Sequence, residues 1–252
     1  LARDREAPTS KALWIPVVWL VIGGSRNVSQ WLGSQASIDP DRYLEGNALD
    51  RNVLTGLLVL GVLVLVRRQL QVGELMRANA AIILYFSYCG ASVLWSDYPD
   101  VALRRWIRGL GDMVMVLVIL TDGDRLAALK RLLTRAGGLL MPVSILLIRY
   151  YPDLGRGYDR WSGMVYWTGV TTDKNGLGMI SMIFGLASTW HFLQADRGKA
   201  RARTAGPLIA HGAFVAMALW LLLKAGSATA IACFFVASVV MALTSRPALA
   251  RK

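Results

Sequence analysis

Eight blocks of apolar residues set the terms on which this chain folds. They fall at residues 13–24, 48–66, 78–95, 106–120, 137–148, 176–193, 205–223 and 228–244. A bilayer crossing needs about 20 mostly apolar residues, because every backbone polar group in hydrocarbon has to be satisfied within its own helix. Most of the blocks reach that length once flanking aromatics are counted, and the first and fifth are marginal. With 55% hydrophobic residues arranged in blocks, the 252-residue chain reads as an all-α polytopic membrane protein of about eight spans. Residues 1–252 form a single transmembrane domain in this reading. The polar connectors are too short to fold alone, and neither a repeat nor a cleavable signal peptide is evident.

The formal net charge of +12 would suggest a nucleic-acid partner in a soluble protein. In a membrane chain, basic loops set topology instead. Of the 28 lysines and arginines, 17 lie in the connectors that share a side with the two termini, and 11 lie in the alternate set. That bias predicts cytoplasmic termini and an outer side that keeps more arginines than topology asks for. Residues 124–135 (DRLAALKRLLTR) place leucines at helical spacing among cations. They read as a short amphipathic helix on the inner membrane surface, in contact with membrane lipids and ended by Gly137-Gly138.

Chemistry concentrates in a few places. Arg104, Arg105 and Arg108 enter the fourth span, and Arg108 shares a helix face with Asp112 four residues on, which predicts an ion pair. Arg149, Arg156, Arg160 and Lys174 form a second outer cluster, interleaved with tyrosines and tryptophans that include Trp161 and Trp167. Phosphates pair with such cations and sugar rings stack on such aromatics, although interfacial anchoring explains the same composition. Residues 161–178 (WSGMVYWTGVTTDKNGLG) run from a polar, glycine-rich loop into an apolar helix. The start of that helix offers Lys174, Asn175 and the Gly176 and Leu177 backbone N–H groups to an anion. Asp122-Gly123-Asp124 reads better as a helix cap than as a metal site. His191, His211, Cys89 and Cys233 read as isolated packing residues. No metal or cofactor signature is present.

The segment from Trp161-Ser162-Gly163 to Gly169-Val170-Thr171-Thr172-Asp173-Lys174-Asn175-Gly176-Leu177-Gly178 resembles a W-x-G…G-x-x-x-x-K-N-x-L-G signature. That signature belongs to the O-antigen ligase and polysaccharide polymerase superfamily, in particular its exopolysaccharide-production branch. Trp95-Ser96…Pro99…Leu103-Arg104-Arg105 and the Ser227-Ala228-Thr229-Ala230 helix start resemble two further stretches of the family, in the same order. Asp173 departs from the histidine often found at its position. The resemblance implies a glycosyltransferase of the bacterial inner membrane whose donor is a polyprenyl-diphosphate-linked saccharide. The acceptor is a second saccharide. Neither a metal, a cofactor nor nucleic acid is expected. It implies substrate contacts from Arg104, Arg105, Arg108, Arg160, Trp161, Lys174, Asn175 and Ser227, and leaves the catalytic base unassigned. Family members are longer, with a large outer loop, so the chain reads as a truncated member. A lipid-saccharide transporter or flippase and an inactive fragment remain the alternatives.

Overall fold

The computed structural model describes residues 10–33, 47–159, 163–197 and 205–244. Helix dominates. A 3-10 turn, Lys11–Leu13, leads into α1 (Trp14–Gly23), followed by the one-turn α2 (Val28–Trp31), α3 (Ala48–Arg67), α4 (Gln69–Ala78) and α5 (Ala80–Ala91). Next come α6 (Pro99–Leu120), α7 (Arg125–Tyr150) and the short α8 (Pro152–Gly155). A two-stranded hairpin, β1 (Arg156–Tyr158) and β2 (Val165–Trp167), precedes α9 (Lys174–Arg197), α10 (Ala205–Ala225) and α11 (Ala228–Thr244). The hairpin is the one departure from the all-α expectation among the described residues.

Among the described residues, three helices are long and apolar enough to cross a membrane: α3, α7 and residues Lys174–Leu193 of α9. A fourth is reached if Val72–Ala78 and Ala80–Trp95, bent by 86° at their junction, count as one broken span. Lys11–Gly23, Ile209–Ala225 and Ala228–Thr244 are apolar but shorter. The 22-residue α6 is not in the set, because Asp100, Arg104, Arg105, Arg108 and Asp112 crowd its first two-thirds.

The chain divides into two compact units. One comprises residues 5–22 and 27–132; the other comprises residues 1–4, 23–26 and 133–252. In the first unit, α3 and α6 pack through Leu65, Leu117 and Val118, and Leu13 and Val17 pack with Ile119, Ala128 and Leu132. Trp19 lies over Gly111, where a Cβ would come within 2.4 Å of its ring, and Nε1 of Trp19 donates to Asp112 Oδ1 at 2.8 Å. This corrects the expected Arg108–Asp112 pair. Helical spacing brings Arg108 near, but the indole arrives from another helix with a donor already aimed. Trp106 packs on Gly90 and donates to Phe86 O at 2.9 Å.

The same unit holds a buried ionic knot. Asp122, with a 2% exposed side chain, lies 3.7 Å from Arg68 Nη2 and accepts the Ser10 backbone N–H. Arg68 Nη1 also donates to Val118 O and Thr121 Oγ1, both at 3.2 Å. Asp124 caps α7 through the Ala127 N–H at 2.9 Å, as the capping reading expects.

The course of α7 corrects the surface-helix expectation. No break occurs at Gly137-Gly138, and α7 runs on through Pro142 to Tyr150. Ala128 and Leu132, in the first unit, and Ala136, in the second, are buried in protein, whereas Leu126 and Leu129 are exposed. Gly137 is there for close approach, since the Phe184 ring lies 3.0 Å from where its Cβ would be. Along α9 the same device recurs: Gly185 faces Ala218 and Phe234, and Gly178 faces Ser227 and Ala230. Met182, Leu186, Leu219, Leu222, Ile231 and Phe234 complete the α9–α10–α11 core. Cys89 is half-buried and Cys233 is exposed on α11, so the second is not the buried hydrophobe expected; both are free thiols.

Candidate anion-binding site

The second unit gathers cations and tryptophans at one place. In the hairpin, Arg156 pairs with Trp167, Gly157 with Tyr166 and Tyr158 with Val165. Directly opposed strand residues bring their side chains together on one face. The Arg156 guanidinium accordingly sits over the Trp167 ring, 4.5 Å from its centroid. From α10, Lys224 Nζ lies 5.1 Å from the same ring and 5.7 Å from the ring of Trp220, one helical turn earlier. Arg149 and Ile148, in the last turn of α7, complete the wall of a cavity of about 240 Å3 lined by Ile148, Arg149, Arg156, Trp167, Trp220 and Lys224.

Arg149 and Lys224 are exposed and Arg156 is half-buried, so the three cations present an open, positively charged wall of a kind that suits an anion. The two indoles hold Arg156 and Lys224 in place by cation–π attraction without neutralising them. Arg156 Nε is buried and has no hydrogen-bond partner among the described residues. A buried unsatisfied donor is costly, and a phosphate or carboxylate oxygen would satisfy it.

Arg26 fixes the loop that carries this wall. Its backbone N–H donates to Val170 O at 3.0 Å. Its guanidinium donates to Thr171 O at 3.3 Å, to Thr168 Oγ1 at 3.4 Å and to Leu154 O. Burial pushes the Arg26 pKa below its ordinary value. Gly169, with φ of 55°, turns the chain after Trp167 against Ser144 of α7. Ser144 Oγ donates to Leu140 O and accepts the Val170 N–H at 3.4 Å.

The residues expected from sequence fall differently. Arg104, Arg105 and Arg108 are exposed on α6 in the first unit. Arg160 and Trp161 lie outside the described residues. Lys174 and Asn175 are exposed at the start of α9 and do not line the cavity. The expected anion cradle at that helix start is filled by the chain itself. Asp173 Oδ1 accepts the Asn175 and Gly176 N–H groups, both at 2.9 Å, and Asp173 O accepts the Leu177 N–H at 3.2 Å. A carboxylate at the N-cap already answers the partial positive charge of the helix end. Ser227 is buried beside Gly178, where it packs α11 onto α9.

Of the cavity's members, Arg149, Arg156 and Trp167 were visible as an outer aromatic-basic cluster. Trp220 was missed, although its spacing of four from Lys224 was a signal. His191 and His211, read as isolated, lie together with ring centroids 5.1 Å apart. Among the described residues, no group of three or more His, Cys, Asp or Glu residues is placed to hold a metal. Comparison with protein-family models, curated proteins and solved structures finds no match. The family resemblance therefore rests on the motif residues themselves.

Proposed function

We propose that this chain is a membrane glycosyltransferase of the O-antigen ligase and polysaccharide polymerase type. The observation that carries the proposal is the cavity of Arg149, Arg156 and Lys224 built around Trp167 and Trp220. Cations with a fixed planar fork suit a diphosphate, and the aromatic wall suits a sugar. The donor is a polyprenyl-diphosphate-linked saccharide, and the acceptor is a saccharide hydroxyl. The acceptor oxygen bonds to the anomeric carbon as the bond from that carbon to the diphosphate oxygen breaks. The hydroxyl proton leaves to a base not yet assigned, and the electron pair departs with the diphosphate. Fixed cations stabilise the charge growing on that leaving group. The motif's own candidates, Arg104, Arg105, Arg108, Arg160, Trp161, Lys174, Asn175 and Ser227, are further substrate contacts in this reading.

The proposal includes about eight spans in the bacterial inner membrane, both termini cytoplasmic, and chemistry at the outer face. Two groupings support that alternation. Arg26, the Arg149–Trp167 segment and Lys224, which the charge count assigns outside, cluster within the second unit. Ser10, Arg68 and Asp122, which it assigns inside, cluster within the first.

The test uses the purified chain with polyprenyl diphosphate as the probe. Wild type should bind it well above the uncharged polyprenol, and Arg156→Ala should weaken binding at least about tenfold, the scale of one charge-assisted contact of about 1.5–3 kcal/mol. Equal binding of the two lipids would overturn the site. Supplying a lipid-linked saccharide with an acceptor then asks for release of free polyprenyl diphosphate. Binding without release favours the transport reading.

A further inference from the structure

We propose that His191 and His211 form a two-histidine site for a divalent transition-metal ion, of the zinc, copper and nickel class, that clips α9 to α10. The two rings come from neighbouring helices of one unit, both half-buried, with centroids 5.1 Å apart and planes inclined at 34°. An ion bound to two imidazole nitrogens at about 2.0–2.1 Å each holds the ring centroids roughly 4.5–5.2 Å apart, for bond angles from square-planar to tetrahedral. The observed separation falls inside that window without any movement of the helices.

The helices that carry the pair approach closely. Phe192, next to His191, packs on Gly212, next to His211, where a Cβ would lie 3.6 Å from the ring. Two turns along the antiparallel pair, Gly185 meets Ala218, where a Cβ would come within 2.7 Å. A preorganised pair binds more tightly than one that has to be assembled. Imidazole nitrogen selects zinc, copper and nickel over magnesium and calcium, which prefer oxygen ligands. Two histidine ligands leave further coordination positions for oxygen donors. The site stands apart from the anion cavity: the thirteen helical steps of α10 from His211 to Lys224 span about 20 Å at the helical rise. It does not depend on the glycosyltransferase reading.

The experiment uses the full chain in detergent without a polyhistidine tag, with Cys89 and Cys233 replaced by Ser to remove thiol ligands. Zinc and nickel are titrated while the thermal midpoint is followed. Metal that binds the folded state raises the midpoint by mass action. Saturation is expected at one ion per chain, with affinity lowered at least about tenfold in both His191→Ala and His211→Ala. Each variant's metal-free midpoint certifies that it folds. If a variant fails to fold, copper-loaded parent protein provides the second reading, as its paramagnetic spectrum should show two nitrogen ligands. Undiminished affinity in either single variant, one ion per chain retained in the double, or fewer than two nitrogen ligands would overturn the site.

Discussion

Gly169→Ala is predicted to destabilise the second unit by about 2–5 kcal/mol, and the figure separates into two physical parts. Gly169 has φ of 55°. An L-residue in that left-handed region costs roughly 1–2 kcal/mol, because Cβ crowds the following carbonyl oxygen. The added methyl would also meet Ser144 Cβ at 2.8 Å, Ser144 Oγ at 2.9 Å and Leu177 Cδ1 at 3.0 Å. Ser144 and Leu177 are both buried, and the Ser144 Cβ is fixed to the α7 backbone, so little can retract. Overpacking of that kind costs about 1–3 kcal/mol. Gly226 isolates the first part. It sits just past α10 with φ of 59°, its N–H donates to Leu222 O, and nothing lies within 4 Å of where its Cβ would be. Gly226→Ala should therefore cost only the conformational part, about 1–2 kcal/mol. The assay is reversible denaturation of the detergent-solubilised chain, with both variants measured against wild type. Gly169→Ala should be the more damaging by about 1–3 kcal/mol. It should also weaken anion binding, because Trp167 lies two residues upstream. Equal destabilisation by the two variants would refute the packing argument at Ser144.

Three other outcomes are expected. Arg68→Met leaves Asp122 buried without its cation and should cost about 3–5 kcal/mol, whereas adding Asp122→Asn should recover part of the loss; strict additivity in denaturation would exclude coupling. Asp173→Ala removes the acceptor for two N–H groups at the start of α9 and should cost about 0.5–2 kcal/mol, with Asp173→Asn closer to wild type on the same assay. Lys224→Ala and Arg149→Ala should each weaken polyprenyl diphosphate binding while Arg131→Ala, outside the cavity, leaves it unchanged; a matching loss from Arg131→Ala would point to general surface charge.

Local signals were legible. Asn47 caps α3 through the Leu49 N–H, Asp124 caps α7, and Gly226 follows α10, each where short-range rules place it. The misreadings came from contacts between residues distant in sequence. Gly137-Gly138 looks like a stop until Phe184 is seen filling the groove. Asp112 looks like a partner for Arg108 until Trp19, 93 residues away, supplies the donor. The anion cradle at Lys174 is a different case, since Asp173 stood at the cap position in plain view. The run of amides and glycines offers donors, and the neighbouring carboxylate already accepts from them. Of the candidate site, the hairpin cations and Trp167 were visible as a cluster, whereas the approach of α10 with Trp220 and Lys224 is a tertiary fact.

The grip of Arg26 has a consequence for biogenesis. Its acceptors at Leu154, Thr168 and Thr171 lie 128 to 145 residues downstream. At a synthesis rate of about 5–20 residues per second, the nascent chain spends roughly 7–30 s with that guanidinium exposed before Thr171 is made. The C-terminal end of α1 therefore gains its docking loop only after another 145 residues have been made. A ribosome halted before Thr171 would hold a chain whose α1 has no docking loop. Quality-control proteases that recognise unanchored helix ends would have that interval to act on α1.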